Sequence, residues 1–212
     1  MLKNKIQTII FDVDGTLTDF NSWTRINQEL DLSPQKHLEI FEKMKEGEYS
    51  LEEAKSKLVY YWKSSGNADR KYFIKIFKNW KFDQEVKDLI SYLNKKYQIC
   101  LISGSIELYI EEVALKLGIK DWYANASLVF NDKGKLLDID YTVDQAEKKL
   151  EQAKEYIKNY GFSKDQCLAV GDGENDIRLF SFFDYSINKG CQELNKYAYK
   201  TIHRLDEIRK LL

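Results

Sequence analysis

Two acidic clusters, each directly after a short apolar run, constrain what this chain of 212 residues can fold into. The first is DVDGT at residues 12–16, after the apolar run 8–11, and the second is GDGEND at residues 171–176, after the run 167–170. Short apolar runs bounded by turn residues are typical of buried strands. Open α/β sheets bind ligands at the carboxyl ends of their strands, so we expect both clusters at one edge of a sheet.

Four aspartates gathered at one edge would repel one another unless a cation lies among them: Asp12, Asp14, Asp172 and Asp176. Carboxylate oxygens are the ligands of hard divalent cations, so the clusters predict a bound Mg²⁺. A simpler interpretation makes Asp14-Gly15 a turn that caps a helix; the preceding strand and the second cluster favour a functional role. For Asp172 and Asp176, helix capping and metal binding both fit the spacing.

A block of helices interrupts the α/β pattern after the first strand. From about residue 21 to 80, apolar residues recur at helical spacing and predict roughly four helices, with N-caps at Ser33 and Ser50. Later segments alternate: helix 83–96, strand 98–102, helix 106–117, two strands in 121–141, helix 144–159, strand 167–170, helix 175–182, and strands 184–187 and 199–202. The pattern predicts a core of residues 1–19 plus 83–212 and an inserted domain of residues 20–82.

Charge and cysteine content exclude several partner classes. The 33 basic and 34 acidic residues leave a net charge of −1, so we expect neither nucleic acid nor membrane as a partner. No signal-peptide pattern and no apolar run of about 18 residues occurs. The three cysteines form no CxxC pair, which suits a reducing compartment, and we expect a cytoplasmic protein.

Other side chains could serve phosphoryl chemistry. Aspartate is a known nucleophile that forms aspartyl-phosphates, and with two carboxylates in one loop the second could move a proton. Ser103, after a predicted strand, could bind phosphate together with nearby amides, or could simply cap the helix predicted from residue 106. Lys148 or Lys149 could neutralise an acyl-phosphate, and spacing alone does not choose between them.

In this order, DVDGTLT at residues 12–18, SGS at 103–105 and GDGEND at 171–176 resemble the haloacid dehalogenase-like (HAD) hydrolase superfamily, particularly its phosphoserine-phosphatase-like branch. The resemblance covers residues 5–20 and 83–190. It implies an α/β fold in which a Rossmann-like parallel sheet core carries a helical cap inserted after the first strand. It also implies a Mg²⁺-dependent phosphatase acting on a small phosphomonoester.

The resemblance implies a role for each residue of the first two motifs. Asp12 would be the nucleophile that forms a phospho-aspartate. Asp14 would protonate the leaving oxygen and then activate the water. Ser103 would hold the phosphoryl group, with help from the Gly104 amide.

The remaining roles follow from the same resemblance. The spacing of the branch favours Lys149 over Lys148 as the lysine that pairs with the nucleophile and phosphate. Asp176 would support the metal site by orienting a water or Lys149, and Asn175 would contact the phosphate region. Mg²⁺ would have three protein ligands: the carboxylates of Asp12 and Asp172 and the main-chain oxygen of Asp14.

The inserted segment departs from the branch at the positions that grip phosphoserine. Asn21 stands where the branch has a cap glutamate, and the segment 51–62 has no arginine, its only basic residues being Lys55 and Lys57. This weakens phosphoserine as the substrate. The segment is rich in aromatic residues, most of which we expect to pack between helices. Trp23, close after the first motif, is the candidate to line a pocket for an apolar or planar leaving group.

Two alternative functions remain open at this point. A phosphotransferase or mutase could use the same motifs to pass the phosphoryl group to an alcohol. A binding module could keep the fold and a phospho-ligand without turnover, although all the expected catalytic side chains are present. The oligomeric state does not follow from the sequence.

Overall fold

The computed structural model describes residues 4–212, so the first three residues of the predicted core segment 1–19 lie outside it. Over that range seven strands form a single sheet. In chain order they are β1 Thr8–Phe11, β2 Gln98–Ile106, β3 Asp121–Phe130, β4 Leu136–Tyr141, β5 Cys167–Gly171, β6 Tyr185–Lys189 and β7 Lys200–Ile202.

The sheet order β4-β3-β2-β1-β5-β6-β7 places the first strand between the two strands that carry the other motifs. Phe11, the last residue of β1, is in register with Leu101 of β2 and Val170 of β5, and both pairings are parallel. Parallel neighbours end at the same edge of a sheet, so the segments that follow β1 and β5 meet there. Only β4, in this range, pairs antiparallel, through the predicted turn at residues 131–134.

Helices cover both faces of the sheet and also form the inserted block. They are α1 Ser22–Glu29, α2 Pro34–Lys45, α3 Leu51–Lys63, α4 Arg70–Asn79, α5 Gln84–Leu93, α6 Glu107–Leu117, α7 Gln145–Tyr160, α8 Ile177–Phe182 and α9 Ile208–Leu211. The predicted helical block corresponds to α1–α4, and both predicted N-caps are confirmed: the Ser33 and Ser50 side chains accept hydrogen bonds from backbone N–H groups of the first turn. No helix within residues 4–212 is long and apolar enough to span a bilayer.

The core has two layers because side chains of β1 alternate across the sheet. Ile9 and Phe11 belong to a large apolar cluster that continues into the inserted helices. Ile10 belongs to a second cluster with residues of α7 and α8. Strands buried on both faces explain the continuous apolar runs seen in the sequence. Fully buried Trp62 and Phe73 join the first cluster, so these aromatic side chains of the insertion pack in the core.

Two predicted boundaries are wrong. Strand β2 continues beyond residue 102 to Ile106, because the backbone keeps pairing with β3 through a register shift between Ser103 and Ile106. Ser103 therefore lies within the strand and does not cap α6, whose N-cap residue is Ile106. The predicted helix 175–182 is a short 3₁₀ turn, Glu174–Asp176, followed by α8.

Candidate active site

The first acidic cluster forms a tight turn at the carboxyl end of β1. The backbone N–H of Asp12 donates to Val170 O of β5 at 2.9 Å, which extends the sheet by one hydrogen bond. The N–H groups of residues 16–18 then all donate to Val13 O, at 2.8 to 3.2 Å. Gly15 adopts a φ of 79°, a left-handed conformation that other residues rarely take. The turn buries Asp12 at the sheet edge.

The two acidic loops touch each other. A Cβ atom on Gly15 would lie 2.0 Å from Asp172 Oδ2, so the contact requires glycine at this position. The Thr16 hydroxyl donates to Asp172 Oδ1 at 2.6 Å. Lys189 of β6 closes the loop from the other side, since its Nζ donates to the backbone oxygens of Gly15 and Thr16 at 2.7 and 2.9 Å. The structure thus brings together clusters that are about 160 positions apart in the sequence.

Asp176 holds the second loop in shape from a buried position. Its Oδ2 accepts hydrogen bonds from the backbone N–H groups of Asp172 and Gly173, both at 3.2 Å. Its Oδ1 accepts from Lys149 Nζ at 2.8 Å. A Cβ on Gly171 would lie 2.3 Å from Asp176 Oδ2, so glycine is needed there as well. Both oxygens of this carboxylate already have donors, which suits a positioning role.

The geometry distinguishes the two candidate lysines on α7. Lys149 is fully buried, with Nζ 2.9 Å from Asp12 Oδ1 and 2.8 Å from Asp176 Oδ1. Burial opposes its charge, but the two carboxylates outweigh burial and raise the pKa of Lys149 above its usual value. Lys148 is half-buried, with 41% of its side chain exposed, and lies 3.6 Å from Glu151 on the same helix. Lys149 is therefore the lysine of the acidic site.

Burial dominates the electrostatics of the two carboxylates in the first loop. It raises the pKa of Asp12 to about 8, against the opposing effect of Lys149. It raises the pKa of Asp14 to about 6, against two hydrogen bonds from Ser22. Asp12 Oδ1 has Lys149 Nζ at 2.9 Å as its partner, whereas Asp14 Oδ1 receives no hydrogen bond. Buried carboxylates need nearby positive charge or hydrogen-bond donors, and Lys149 supplies the charge beside Asp12.

The residues present fit a divalent cation. One carboxylate oxygen from each of Asp12, Asp172 and Asp176 lies within 4.8 Å of the others. Hard cations prefer such oxygen ligands. Because Asp176 already accepts three hydrogen bonds, Asp12 and Asp172 are the better placed of the three to bind a metal. Burial raises the pKa of Asp172 as well.

A cavity of about 580 Å³ opens over this edge of the sheet. Predicted site residues that line it are Asp12, Asp14, Ser103, Gly104, Asp172 and Asn175. Ser103 is buried and its hydroxyl accepts from Ser105 N–H at 3.3 Å. A Cβ on Gly104 would lie 3.4 Å from Asn175 Nδ2, so these two predicted phosphate contacts are neighbours. Lys149 and Asp176 lie behind the lining residues.

Ser22 belongs to the site although no sequence pattern indicated it, and Ser105, the last residue of the SGS motif, had no role assigned to it. The Ser22 hydroxyl donates to Asp14 Oδ2 at 2.5 Å, and its backbone N–H donates to the same oxygen at 2.9 Å. Ser22 Oγ also lies 2.5 Å from Ser105 Oγ. These contacts join α1, β2 and the first acidic loop, and they depend on tertiary packing. These contacts therefore could not be predicted from the sequence near either serine.

Trp23 lines the cavity, as the sequence led us to expect. Its indole N–H donates to Gly104 O at 3.3 Å, which ties α1 to β2. The ring also packs against His37, Trp62 and Tyr141, with centroid distances of 5.7 to 6.1 Å. Trp23 thus lies between the inserted helices and the sheet and contacts both.

Comparisons with known proteins match this architecture along most of the chain. A family model described as haloacid dehalogenase-like hydrolase matches residues 6–181. The phosphoserine phosphatase of Methanocaldococcus jannaschii is 27% identical over 181 residues, which cover 84% of this chain and 83% of that protein. The phosphoserine phosphatase of Streptococcus thermophilus is 24% identical over 215 residues, covering 95% and 97%.

Solved structures give the same picture. A phospho-aspartyl intermediate analogue of phosphoserine phosphatase superposes with a TM-score of 0.75 at 26% identity and covers 98% of this chain and 99% of that chain. A substrate-bound phosphoserine phosphatase complex has a TM-score of 0.75 at 25% identity, with the same coverage. The similarity therefore includes the inserted helices as well as the sheet.

Proposed function

Since the chain belongs to the haloacid dehalogenase-like hydrolase family, in its phosphoserine-phosphatase-like branch, we propose that this phosphatase uses Mg²⁺ and a phospho-aspartate on Asp12 to hydrolyse a small phosphomonoester. One observation carries the proposal. The buried Asp12 carboxylate lines a cavity and has Lys149 Nζ at 2.9 Å behind it.

Asp12 is the nucleophile of the proposed reaction. Its oxygen attacks phosphorus, the bond to the ester oxygen breaks, and the phosphoryl group is transferred to Asp12. Phosphoryl transfer places charge on the non-bridging oxygens, so catalysis depends on positioning and charge neutralisation. Lys149 supplies one fixed positive charge beside the nucleophile. Water then attacks the phosphorus of the phospho-aspartate, the bond from phosphorus to the Asp12 oxygen breaks, and inorganic phosphate leaves with the carboxylate regenerated.

Asp14 is the proton carrier of the proposed reaction. Ser22 holds Asp14 Oδ2 by two hydrogen bonds, which fixes the carboxyl group. Asp14 Oδ1 has no partner within the described structure and is therefore free to exchange a proton. It donates the proton to the leaving oxygen in the first step and takes one from the attacking water in the second.

The metal site belongs to the same proposal. We assign Mg²⁺ to the carboxylates of Asp12 and Asp172 and the main-chain oxygen of Asp14, supported by the approach of the Asp12 and Asp172 carboxylate oxygens to within 4.8 Å of each other. When bound, such a cation acts as a Lewis acid that neutralises charge on the phosphoryl oxygens. Asp176 keeps the Asp172 loop and Lys149 in place. The phosphoryl group is held by the three predicted phosphate contacts, Ser103, the Gly104 amide and Asn175. This assignment is supported by the fact that all three residues line the cavity.

We also assign residues 20–82 to a cap domain over a core of residues 1–19 plus 83–212. Lining residues of α1, α2 and α3 face the catalytic edge across one cavity. A cap in this position would exclude bulk water during the reaction.

The proposal is tested by assaying phosphate release from a panel of phosphomonoesters, with Mg²⁺ and with a chelator. We expect Mg²⁺-dependent release, and we expect Asp12→Asn to abolish it without loss of the folded state, checked by circular dichroism. Competing alcohol acceptors in the assay distinguish hydrolysis from phosphoryl transfer. An Asp12→Asn protein that retains near wild-type turnover would refute the nucleophile assignment.

A further inference from the structure

The half of the cavity that faces the inserted helices is apolar. Its wall, called here the apolar wall, consists of Leu38, Phe41, Met44, Leu51, Leu58 and Ile139. These side chains come from α2, α3 and β4, opposite the acidic loops. A phosphoester bound with its phosphoryl group at Asp12 would direct its alcohol portion towards this wall.

Two members of the apolar wall are unusually exposed for large apolar residues. Leu38 is 39% exposed and Phe41 is 37% exposed, and both lie on the face of α2 that borders the cavity. Exposed apolar side chains that line one concave surface are typical of ligand-binding sites. A ligand that covered them would remove this surface from water, which is favourable in proportion to the area covered.

Two polar side chains on this side of the cavity, those of Asn21 and Lys55, already have partners in the protein. The Asn21 side chain accepts from Thr24 N–H and caps α1. Lys55 Nζ lies 3.3 Å from Glu52 and 3.5 Å from Asp138. These contacts occupy the Asn21 side-chain oxygen and offset the charge of Lys55 with two carboxylates.

Buried His37 does not supply a charge either. Its Nδ1 lies 2.9 Å from Asn27 Nδ2, and burial lowers the pKa of His37 to about 4, so the ring is neutral near pH 7. The exposed Lys45, at the end of α2, is the remaining cation of the wall side among the lining residues that the structure describes. It borders the opening, 5.9 Å from the centroid of the Phe41 ring.

The carboxylates of the cavity also argue against an amino-acid substrate. Within the described part of the chain, those that line it are Asp12, Asp14, Asp172 and Glu174, and all four belong to the acidic loops. An ammonium group next to the apolar wall would therefore lose its hydration without gaining an anionic partner. A phosphoserine bound here would have this problem, whereas an uncharged leaving group would not.

We propose that the substrate is the phosphomonoester of an uncharged apolar alcohol, alkyl or aryl, whose hydrocarbon portion lies against the apolar wall. This inference rests on the proposed phosphatase function and adds the substrate class to it. The cavity of about 580 Å³ lies within the range of sites that hold drug-sized ligands, so it accommodates an alcohol much larger than serine.

The test compares ethyl, butyl, hexyl and octyl phosphate with phosphoserine under Mg²⁺-saturated conditions. The expected result is a kcat/KM that rises with chain length, by up to about fourfold for each methylene that becomes buried. Phosphoserine should be a poorer substrate than hexyl phosphate. A flat series, or a preference for phosphoserine over octyl phosphate, would overturn the inference while leaving the phosphatase function intact.

A double variant, Leu38→Ser with Phe41→Ser, tests the location of the hydrocarbon portion. Covering the exposed part of these two side chains predicts that the octyl-to-ethyl ratio of kcat/KM falls by about tenfold in the variant. The matched control is Leu115→Ser on α6, where an apolar residue is 69% exposed outside the cavity. This control should keep the wild-type ratio, and an equal change in both proteins would contradict the proposed location.

Absence of hydrolysis for every ester would refute the proposed function and would leave the binding site to be judged separately. In that case the same alkyl phosphates are titrated into the wild-type protein with Mg²⁺ and binding is followed by calorimetry. Affinity that increases with chain length supports the apolar wall as a binding site. Affinity independent of chain length rejects it.

Discussion

Replacing Lys149 by methionine removes a buried charge while keeping a side chain of similar length. Lys149 Nζ is the shared partner of two carboxylates, Asp12 at 2.9 Å and Asp176 at 2.8 Å. After the substitution both carboxylates remain buried in the same pocket without this cation. The variant should therefore lose folding stability as well as activity.

The magnitude follows from the contacts that remain. Removing one partner of a buried ion pair costs roughly 3–5 kcal/mol, because the other charge is left in a medium of low dielectric. Asp176 retains two backbone N–H donors, and Asp12 relieves part of the cost by taking up a proton, since burial already raises its pKa to about 8. We therefore expect a loss near the lower end of that range, about 3 kcal/mol, at neutral pH.

The assay is urea unfolding of wild type, Lys149→Met and Lys148→Met with a chelator present. Lys148 is the matched control, because its side chain is 41% exposed and its ion pair with Glu151 spans 3.6 Å; solvent-accessible pairs contribute at most about 1 kcal/mol. The loss of unfolding free energy in Lys149→Met relative to wild type should become smaller as the pH falls, because protonation neutralises the carboxylates that lost their partner.

Equal stability of the two lysine variants would refute this reasoning. A loss of unfolding free energy in Lys149→Met that became larger at lower pH would refute the reasoning as well. Such a result would mean that the lysine charge does not neutralise the two carboxylates. The double variant Lys149→Met with Asp176→Asn provides a further check. It should recover part of the lost stability, since one of the two uncompensated charges is gone.

Two further predictions concern the first acidic loop and the inserted helices. Gly15→Ala should destabilise the protein and weaken Mg²⁺ binding, because its Cβ would lie 2.0 Å from the Asp172 carboxylate; thermal unfolding and metal titration measure this. Its control is Gly47→Ala, which has a φ of 78° but nothing within 4 Å, so it experiences the backbone strain alone and should lose less stability. His37 has a pKa lowered from 6.5 to about 4 by burial, so the unfolded chain binds its proton more readily. The contribution of neutral His37 to the free energy of unfolding is fully present above pH 6.5. It is lost as the pH falls towards 4, by about 3 kcal/mol in total. His37→Gln should therefore show a shallower decline of unfolding free energy over that window, and an unchanged slope would contradict the interpretation.

Secondary structure was predictable wherever the pattern was local. The apolar runs 8–11 and 167–170 identify β1 and β5 because strands buried on both faces are continuously apolar. The N-caps at Ser33 and Ser50 identify the starts of α2 and α3, because capping uses atoms only a few residues apart. Membership of the family was equally predictable from the sequence, since each of its motifs is a short contiguous segment.

The extent of β2 was not predictable in this way. Ser103-Gly104-Ser105 has no apolar pattern, and turn-forming residues of this kind normally end a strand. The segment stays in the sheet because β3 continues to pair with it across a register shift. That pairing depends on a strand about 20 residues further along the chain, so it leaves no local signal.

The sequence by itself determined the order of strands and helices, the family, and the presence of carboxylates at the ends of two strands. The spacing within the family favoured Lys149 over Lys148, but only the tertiary structure decided that Ser22 holds Asp14 and that an apolar wall faces the acidic loops. The reason is physical. Hydrophobic periodicity and capping act over a few residues, whereas these contacts join side chains from separate elements whose spacing is set by the parallel packing of β2, β1 and β5.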